Sequence, residues 1–339
     1  MIDRRLIRWV GHDNGSEIGT ESLWRIHVIH RRSGRLIACI GTAFLGCVWA
    51  RPVSAQGTTP SRTQVVLLGT GTPGADPDRS GPATAIVVDD TPYIIDFGPG
   101  VARRAAGAVA KGVNALRLAN IKVVFTTHLH ADHTAGYPDL LITSWVAGRS
   151  SPLEVYGPRG IRAMTDAVLT AYHVDVEDRL KARGEVSVNL VNAHEIVPGI
   201  VYKDAKVTVT AFPVKHGNLE AYGYRFDTPD RSVVVSGDTS PTESVVEHCH
   251  GCDVLIHEHY SMASFAQVDS RWQQYRLRHH TSTQQLAELA TRARPRLLIL
   301  YHRSNPGVRG ASAPEAPVLS EMGNFYKGKW VSGRDLDIH

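Results

Sequence analysis

A layered α/β (α+β) domain is the fold class this sequence predicts, and three observations predict it. Short Val/Ile-rich runs bounded by Gly, Pro or Asp recur along the chain. Helical periodicities fall between some of them. No low-complexity tract or Pro-rich linker divides residues 56–339. Strand pairs with interposed helices are the pattern of sheets covered by helices. In order, strands are expected at 65–68, 85–88, 93–96, 123–127, 153–156, 186–191, 207–214, 222–226, 232–236, 253–257 and 297–301. Helices are expected at 100–111, 136–147, 160–172, 241–249 and 281–293.

Composition narrows the class further. The chain has 339 residues, 42% hydrophobic and 21% charged, which excludes wholesale disorder. Four cysteines are too few for a disulfide scaffold. Residues 36–50, LIACIGTAFLGCVWA, form a short apolar core. Arg31, Arg32 and Arg35 precede it, and Val53-Ser54-Ala55 follows as a small-residue cleavage pattern. That order is the order of a secretory signal peptide. The run is shorter than the roughly 20 residues of a spanning helix, so no stable membrane insertion is expected after cleavage. An uncleaved anchor and lipid attachment at Cys47 are the alternatives. The expected organisation is a leader at 1–55 and one catalytic domain at 56–339, exported to the periplasm or medium. The leader holds eight of the 37 basic and four of the 33 acidic residues, leaving 29 of each in 56–339. The net charge of +4 therefore belongs to the leader, and the remaining chain is formally neutral.

The chemistry concentrates in Thr126-Thr127-His128-Leu129-His130-Ala131-Asp132-His133. It follows a buried-type strand and precedes a helical stretch. Alternation points His128 and His130 the same way in extended backbone. Asp132 and His133 fall at a helix entrance and address a second point. One segment can thus serve two adjacent metals, as two-metal hydrolytic sites require. His216, Asp238 and His302 each sit at the end of an expected strand, and a carboxylate such as Asp238 is able to bridge two cations. Cys249-His250-Gly251-Cys252 lacks a second Cys/His pair at zinc-finger spacing, so it reads as a disulfide or as packing cysteines. Of His257 and His259, one is expected to face the site. His173, His194, His279 and His339 read as surface residues. Gly69-Thr70-Gly71 lacks a Walker lysine and reads as a turn.

These residues resemble the metallo-β-lactamase fold, in the branch of ribonuclease Z, zinc phosphodiesterases and related arylsulfatases. The resemblance runs through Gly69-Thr70-Gly71-Thr72-Pro73, Ile95-Asp96-Phe97-Gly98, the His128–His133 segment, Val155-Tyr156-Gly157-Pro158 and Lys215-His216-Gly217. It continues through Tyr222-Gly223-Tyr224-Arg225, Ser236-Gly237-Asp238-Thr239, Ile256-His257-Glu258, His279-His280-Thr281-Ser282 and Tyr301-His302. It is collinear over about residues 64–303. It implies a four-layer αββα sandwich with metals at one edge. It implies two Zn2+ ions, with iron or manganese as alternatives. One ion falls to His128, His130 and His216, the other to Asp132, His133 and His302, with Asp238 between them. Water activated there attacks a phosphorus, sulfur or carbonyl centre, and Asp132 also orients it. His280 resembles the catalytic histidine opposite the metals, and Glu258 the carboxylate paired with it. Asp96 reads as a support for the ligand loop rather than a ligand. Family members are often dimers, which leaves a homodimer open.

The departures bear on substrate. Ribonuclease Z carries a basic Pro-x-Lys-x-Arg-Asn loop after the first Gly-Thr-Gly. Here that stretch is Pro73-Gly74-Ala75-Asp76-Pro77-Asp78-Arg79-Ser80-Gly81. The stretch from Gly157 to Val214 is short for the long arm that the resemblance places ahead of the Lys-His-Gly and Gly-Tyr-Arg motifs, and Phe226–Val235 holds no insert either. Backbone binding to RNA relies on Lys and Arg. A small phosphodiester or sulfate ester is therefore the expected substrate, with nucleic acid disfavoured. The alternatives are 3′-tRNA processing, lactone or β-lactam hydrolysis, and a zinc-binding protein without turnover.

Overall fold

The structure, a computed structural model, describes residues 61–304 and 315–339; the expected leader, with its apolar stretch 36–50, lies outside the described residues. Strands β1 (Thr63–Gly69), β2 (Ala83–Val88), β3 (Thr91–Ile95), β4 (Val123–Phe125), β5 (Leu153–Gly157) and β6 (Val191–Glu195) form one sheet in that spatial order. Strands β7 (Gly199–Lys203), β8 (Thr208–Pro213), β9 (Tyr222–Asp227), β10 (Ser232–Val235), β11 (Val254–Tyr260), β12 (Leu297–Ser304) and β13 (Trp330–Ser332) form the second. Each sheet has antiparallel hairpins on one side and parallel strands on the other. The parallel parts are β3 to β6 and β10 to β13.

Side-chain alternation explains the layering. Val65, Leu67, Ile86, Tyr93, Ile95 and Phe125 point inward, onto Val209, Tyr224, Phe226, Val233, Val235, Ile256 and Ile299 of the other sheet. Their neighbours Val66, Leu68, Ala85, Val87, Ile94 and Val124 point outward. They are covered by α1 (Val101–Ala110), with α2 (Ala131–Thr134) at the sheet's end, and by α3 (Tyr137–Val146), α4 (Ile161–Ala171) and α5 (His173–Arg183). On the far side, Val234, Leu255, Leu298 and Leu300 pack against α6 (Glu243–Cys249), beyond which come α7 (Met262–Phe265) and α8 (Ser270–His279), and against α9 (Thr283–Ala293) and α10 (Glu315–Phe325). Strands buried on both faces need continuous apolar runs, which is how they read in sequence. Each buried Val, Leu, Ile or Phe side chain contributes about 1.5–3 kcal/mol. The result is the αββα sandwich.

Several expectations need correction. The 186–191 stretch forms a strand only from Val191, because α5 ends on left-handed Gly184 (φ 69°) and Val186 lies fully exposed beyond it. The strand expected to run to Thr127 stops at Phe125. Strands β7 and β13 and helices α5, α7, α8 and α10 were not expected. The strands are edge strands with little buried apolar surface, and α5 and α8 are largely polar. His339 is not a free surface residue: its backbone N–H and C=O both pair with Val65 at 2.9 Å.

Candidate active site

The carboxyl ends of β3, β4, β10 and β12 open on one edge of the sandwich, the place where α/β sheets hold ligands. The chain turns off β3 at Asp96, which adopts a left-handed φ of 59° and is buried. Its carboxylate accepts the Thr127 N–H at 2.7 Å, the Thr127 hydroxyl at 3.0 Å and the His133 Nδ1–H at 2.8 Å. The turn off β3 and the ligand loop are thereby locked together. Close approach tightens the contact: a Cβ on Gly98 would stand 2.4 Å from the Asp132 carbonyl oxygen.

Beyond β4, His128 and His130 reach the same point, as alternation requires. His128 Nε2 lies 3.1 Å from His130 Nδ1, and His216 Nε2 lies 3.2 Å from that same nitrogen. The Nδ1–H of His216 donates to the His279 carbonyl at 2.8 Å, which turns Nε2 inward. The second point is built from α2 and two strand ends. His302 Nε2 stands 3.1 Å from Asp132 Oδ2 and 3.4 Å from Asp238 Oδ2. His133 Nε2 stands 3.5 Å from Asp132 Oδ2 and 3.4 Å from Asp238 Oδ1. Asp238 thus lies between the two groups. His302 is aimed by a bulge: Glu258 pairs with Tyr301 and His259 with Arg303, so His302 is the extra residue, with φ 44°.

His280 and Glu258 meet on the other wall. His280 Nδ1 is 3.3 Å from Glu258 Oε2 and 3.9 Å from Asp238 Oδ2. The His280–Glu258 pair is close but not aligned as a hydrogen bond. Catalytic hydrogen bonds in ligand-free enzymes are often loose in this way. Glu258 is held through its other oxygen, which accepts the Thr281 N–H at 2.8 Å.

The donor chemistry fits a pair of divalent cations. His133 Nε2 and Asp238 Oδ1 are buried without hydrogen-bond partners, and three imidazole nitrogens converge where only a cation or a shared proton satisfies them all. The outer nitrogens of His133 and His216 are already spent on fixed acceptors, as in metal sites. The seven expected metal ligands, together with His280 and Glu258, are therefore brought to one edge.

Others fall elsewhere. His257 and His259 are both buried, yet neither joins a converging group; their Nδ1 atoms contact the Glu258 and Tyr301 carbonyls. Cys249 and Cys252 form a disulfide in the outer apolar layer. His279, expected at the surface, instead stacks on Tyr275 (centroids 4.0 Å apart) and orients His216 through its carbonyl. A backbone role leaves no side-chain signal in a sequence.

Comparison with known proteins agrees with this geometry. Residues 91–303 match the β-lactamase superfamily domain. Ribonuclease Z of Mycobacterium bovis (strain BCG Pasteur) is 33% identical over 273 residues, covering 77% of this chain and 95% of that protein. Ribonuclease Z of Mycobacterium marinum is 34% identical, covering 70% and 85%. Among solved structures, a metallo-β-lactamase fold protein of Bacillus subtilis superposes with a TM-score of 0.60 at 18% identity, covering 82% of this chain and 98% of that one. The short form of human tRNase Z superposes at 0.58 with 22% identity, covering 81% and 98%. The chain belongs to the β-lactamase superfamily, as a metallo-β-lactamase-fold hydrolase among the homologues of ribonuclease Z.

Proposed function

We propose that this chain is a two-metal phosphodiesterase acting on nucleotide or short RNA diesters. The convergence of His128, His130 and His216 on one side of Asp238, and of Asp132, His133 and His302 on the other, carries the reading. The relatives named ribonuclease Z support a phosphodiester over the sulfate ester, lactone and β-lactam readings, and they weigh against the expectation that nucleic acid is disfavoured. Against long precursor tRNA stands the Pro73–Gly81 stretch, which carries Asp76 and Asp78 with one arginine where the resemblance places a basic loop. Zinc is the proposed metal, given an imidazole-rich set with carboxylates.

Two such ions, when bound, supply Lewis-acid charge that lowers the pKa of water and polarises the ester oxygen. The chain supplies the rest. Asp132, at the cleft side of its group, positions the attacking water. Burial pushes Glu258 well above the usual carboxyl range, with the Asp238 charge adding to it. Burial also pushes His280 well below the usual imidazole value. Burial thus disfavours charge on both members of the pair, and the proposed role of His280, with Glu258 behind it, is to pass a proton to the departing oxygen. The expected result is that the metal-loaded full-length protein cleaves a small aryl phosphodiester and a short RNA faster than an aryl sulfate, a lactone, a β-lactam or precursor tRNA. Exclusive sulfate-ester turnover, or two bound metals without any turnover, would overturn it.

The two groups should load differently with pH. Burial works against a charged His133, yet Asp238, Asp96 and Asp132 together raise it well above the usual value; His302 is also raised, by Asp238 and Asp132 against burial. Burial lowers His128 far below the usual value and His216 to about 4. Ligation requires a free imidazole nitrogen. Acidification therefore protonates the Asp132–His133–His302 group first. On acidification metal content is expected to fall first from about two ions per chain toward about one, with activity falling alongside, before the second ion leaves. Simultaneous loss of both ions in a titration followed by elemental analysis would contradict this order.

Export is proposed from the basic–apolar–small order of residues 31–55. The Cys249–Cys252 disulfide supports it, since such bonds persist in oxidising compartments. Sequencing the N-terminus of protein from the extracytoplasmic fraction tests it: an intact Met1 in protein confined to the cytosol refutes the leader.

A further inference from the structure

Three arginines are buried among the described residues, and they differ in how they are satisfied. Arg149 is fully engaged, donating to Ser144 Oγ at 3.0 Å, to Leu141 O at 3.3 Å and to Ser151 O. Arg303 also has Nε and Nη1 without hydrogen-bond partners, but Glu315 lies 3.8 Å away as its counter-ion. Arg276 has nothing comparable. It is 8% exposed, its Nε and Nη1 lack hydrogen-bond partners, and no carboxylate lies within ion-pair distance among the described residues. An arginine stays charged when buried. A buried cation without a partner is costly, and proteins keep one where something else completes it.

The position of Arg276 says what that is. It lies on the last turn of α8, and its carbonyl accepts at 2.9 Å the N–H of His280, the extended residue that caps the helix. Its helix neighbour Tyr275 lies 5.9 Å, ring to ring, from His280, so this part of α8 borders the cleft wall opposite the proposed metal ligands. Trp272, Tyr275, Arg276 and His279 follow i, i+3, i+4, i+7 spacing and so form one stripe. Within it Tyr275 stacks on His279 with centroids 4.0 Å apart, and His279 meets His216 edge-on at 5.1 Å. At the outer end Trp272 packs edge-on against Tyr275 at 5.7 Å and keeps 51% of its surface exposed. The stripe therefore runs from solvent to the metal centre. It offers an aromatic platform, then a cation, then the reacting groups.

We infer that this stripe is a nucleotide subsite: Arg276 takes a phosphate flanking the scissile one, and the indole of Trp272 stacks on a base. The inference rests on the phosphodiesterase reading and names its substrate class. Neighbouring phosphates and a stacked base recur side by side in a single strand, and aromatic stacking is the usual sequence-tolerant way to hold one. A guanidinium fork matches a phosphate and gives charge-assisted hydrogen bonds. A neutral aryl ester would leave Arg276 unmet.

The test uses the metal-loaded full-length protein and uridine dinucleotides with and without an added terminal phosphate, at the 5′ end and at the 3′ end. The quantity read is the ratio of kcat/KM for phosphorylated over unphosphorylated substrate. The native protein is expected to show a ratio of at least about tenfold for one of the two ends. Arg276→Gln brings it to about one, and Arg276→Lys retains part of it. A structural role would lower both rates together and leave the ratio unchanged, and that result overturns the inference. A native ratio near one overturns it equally. If the native protein cleaves no diester at all, the phosphodiesterase reading falls first and this subsite with it. Arg276→Met adds a readout independent of turnover: its melting temperature is expected to equal or exceed the native one, because an unpaired buried charge is removed. A marked drop with both metals bound identifies a structural anchor and refutes the subsite.

Discussion

Asp238→Ala is expected to reduce phosphodiester turnover by about a thousandfold or more, and to lower metal content from about two ions per chain to about one or none. Asp238 is 2% exposed and stands 3.4 Å from both His133 Nε2 and His302 Nε2. It is also the carboxylate shared by the groupings with His128 and His133 and with His216 and His280. Its removal withdraws the negative charge that faces every imidazole of the centre. Two effects then add. A cation pair held there would lose the ligand proposed to be shared between its members, and His280 loses the nearest countercharge across the cleft. Removing a single preorganised electrostatic group typically costs ~10²–10³ in rate, and loss of an ion costs more. His130→Ala should cost less metal, because His130 is only partly buried and contributes to one group. Rates, elemental analysis and a circular dichroism spectrum on the same sample decide the matter. Full activity in Asp238→Ala, with the fold intact, would rule out a two-metal mechanism.

The layers were legible because strands buried on both faces leave a plain trace. Val65-Val66-Leu67-Leu68 sends alternate residues into two different apolar layers, and all four are fully buried. The His128–His133 segment was legible because its spacing is local: extended backbone, then a helix entrance. His216, Asp238 and His302 were another matter. They arrive from three separate strand ends, and nothing in their neighbourhoods distinguishes a ligand from a structural histidine or aspartate; resemblance assembled them. What stayed hidden depends on geometry that composition does not carry. The bulge that turns His302 inward arises from the register of β11 against β12. The orienting partner of His216 is a backbone carbonyl at residue 279. Arg276 in sequence is one basic residue in a polar helix, and only burial without a partner marks it.

Asp96→Asn is expected to leave the fold intact while disabling the second metal position. Asp96 accepts from four donors on three residues: the Thr126 hydroxyl at 3.2 Å, the Thr127 N–H and hydroxyl, and the Nδ1–H of His133. Thr127 N–H and His133 Nδ1 meet different carboxylate oxygens. An asparagine keeps one oxygen and replaces the other by a donor. The oxygen must face the Thr127 N–H, since the reverse orientation sets two donors against each other at 2.7 Å. The amide nitrogen then faces His133 Nδ1, which has to become an acceptor. Its proton moves to Nε2, the atom 3.5 Å from Asp132 and 3.4 Å from Asp238. A protonated Nε2 cannot ligate a cation. The same exchange of a histidine's supporting carboxylate for an amide costs about 10⁴ in rate in serine proteases through the wrong tautomer, and lost supports of metal ligands weaken binding ~10–100-fold. Turnover should therefore fall by two to four orders of magnitude, roughly, and about one ion should remain. Asp96→Ala differs in kind: it leaves Thr127 and His133 donors buried without acceptors, so it should also unfold at lower temperature, by about 3–5 kcal/mol of stability. If Asp96→Asn binds two ions with native affinity, His133 is not oriented through Asp96, and the support assigned to this carboxylate is wrong.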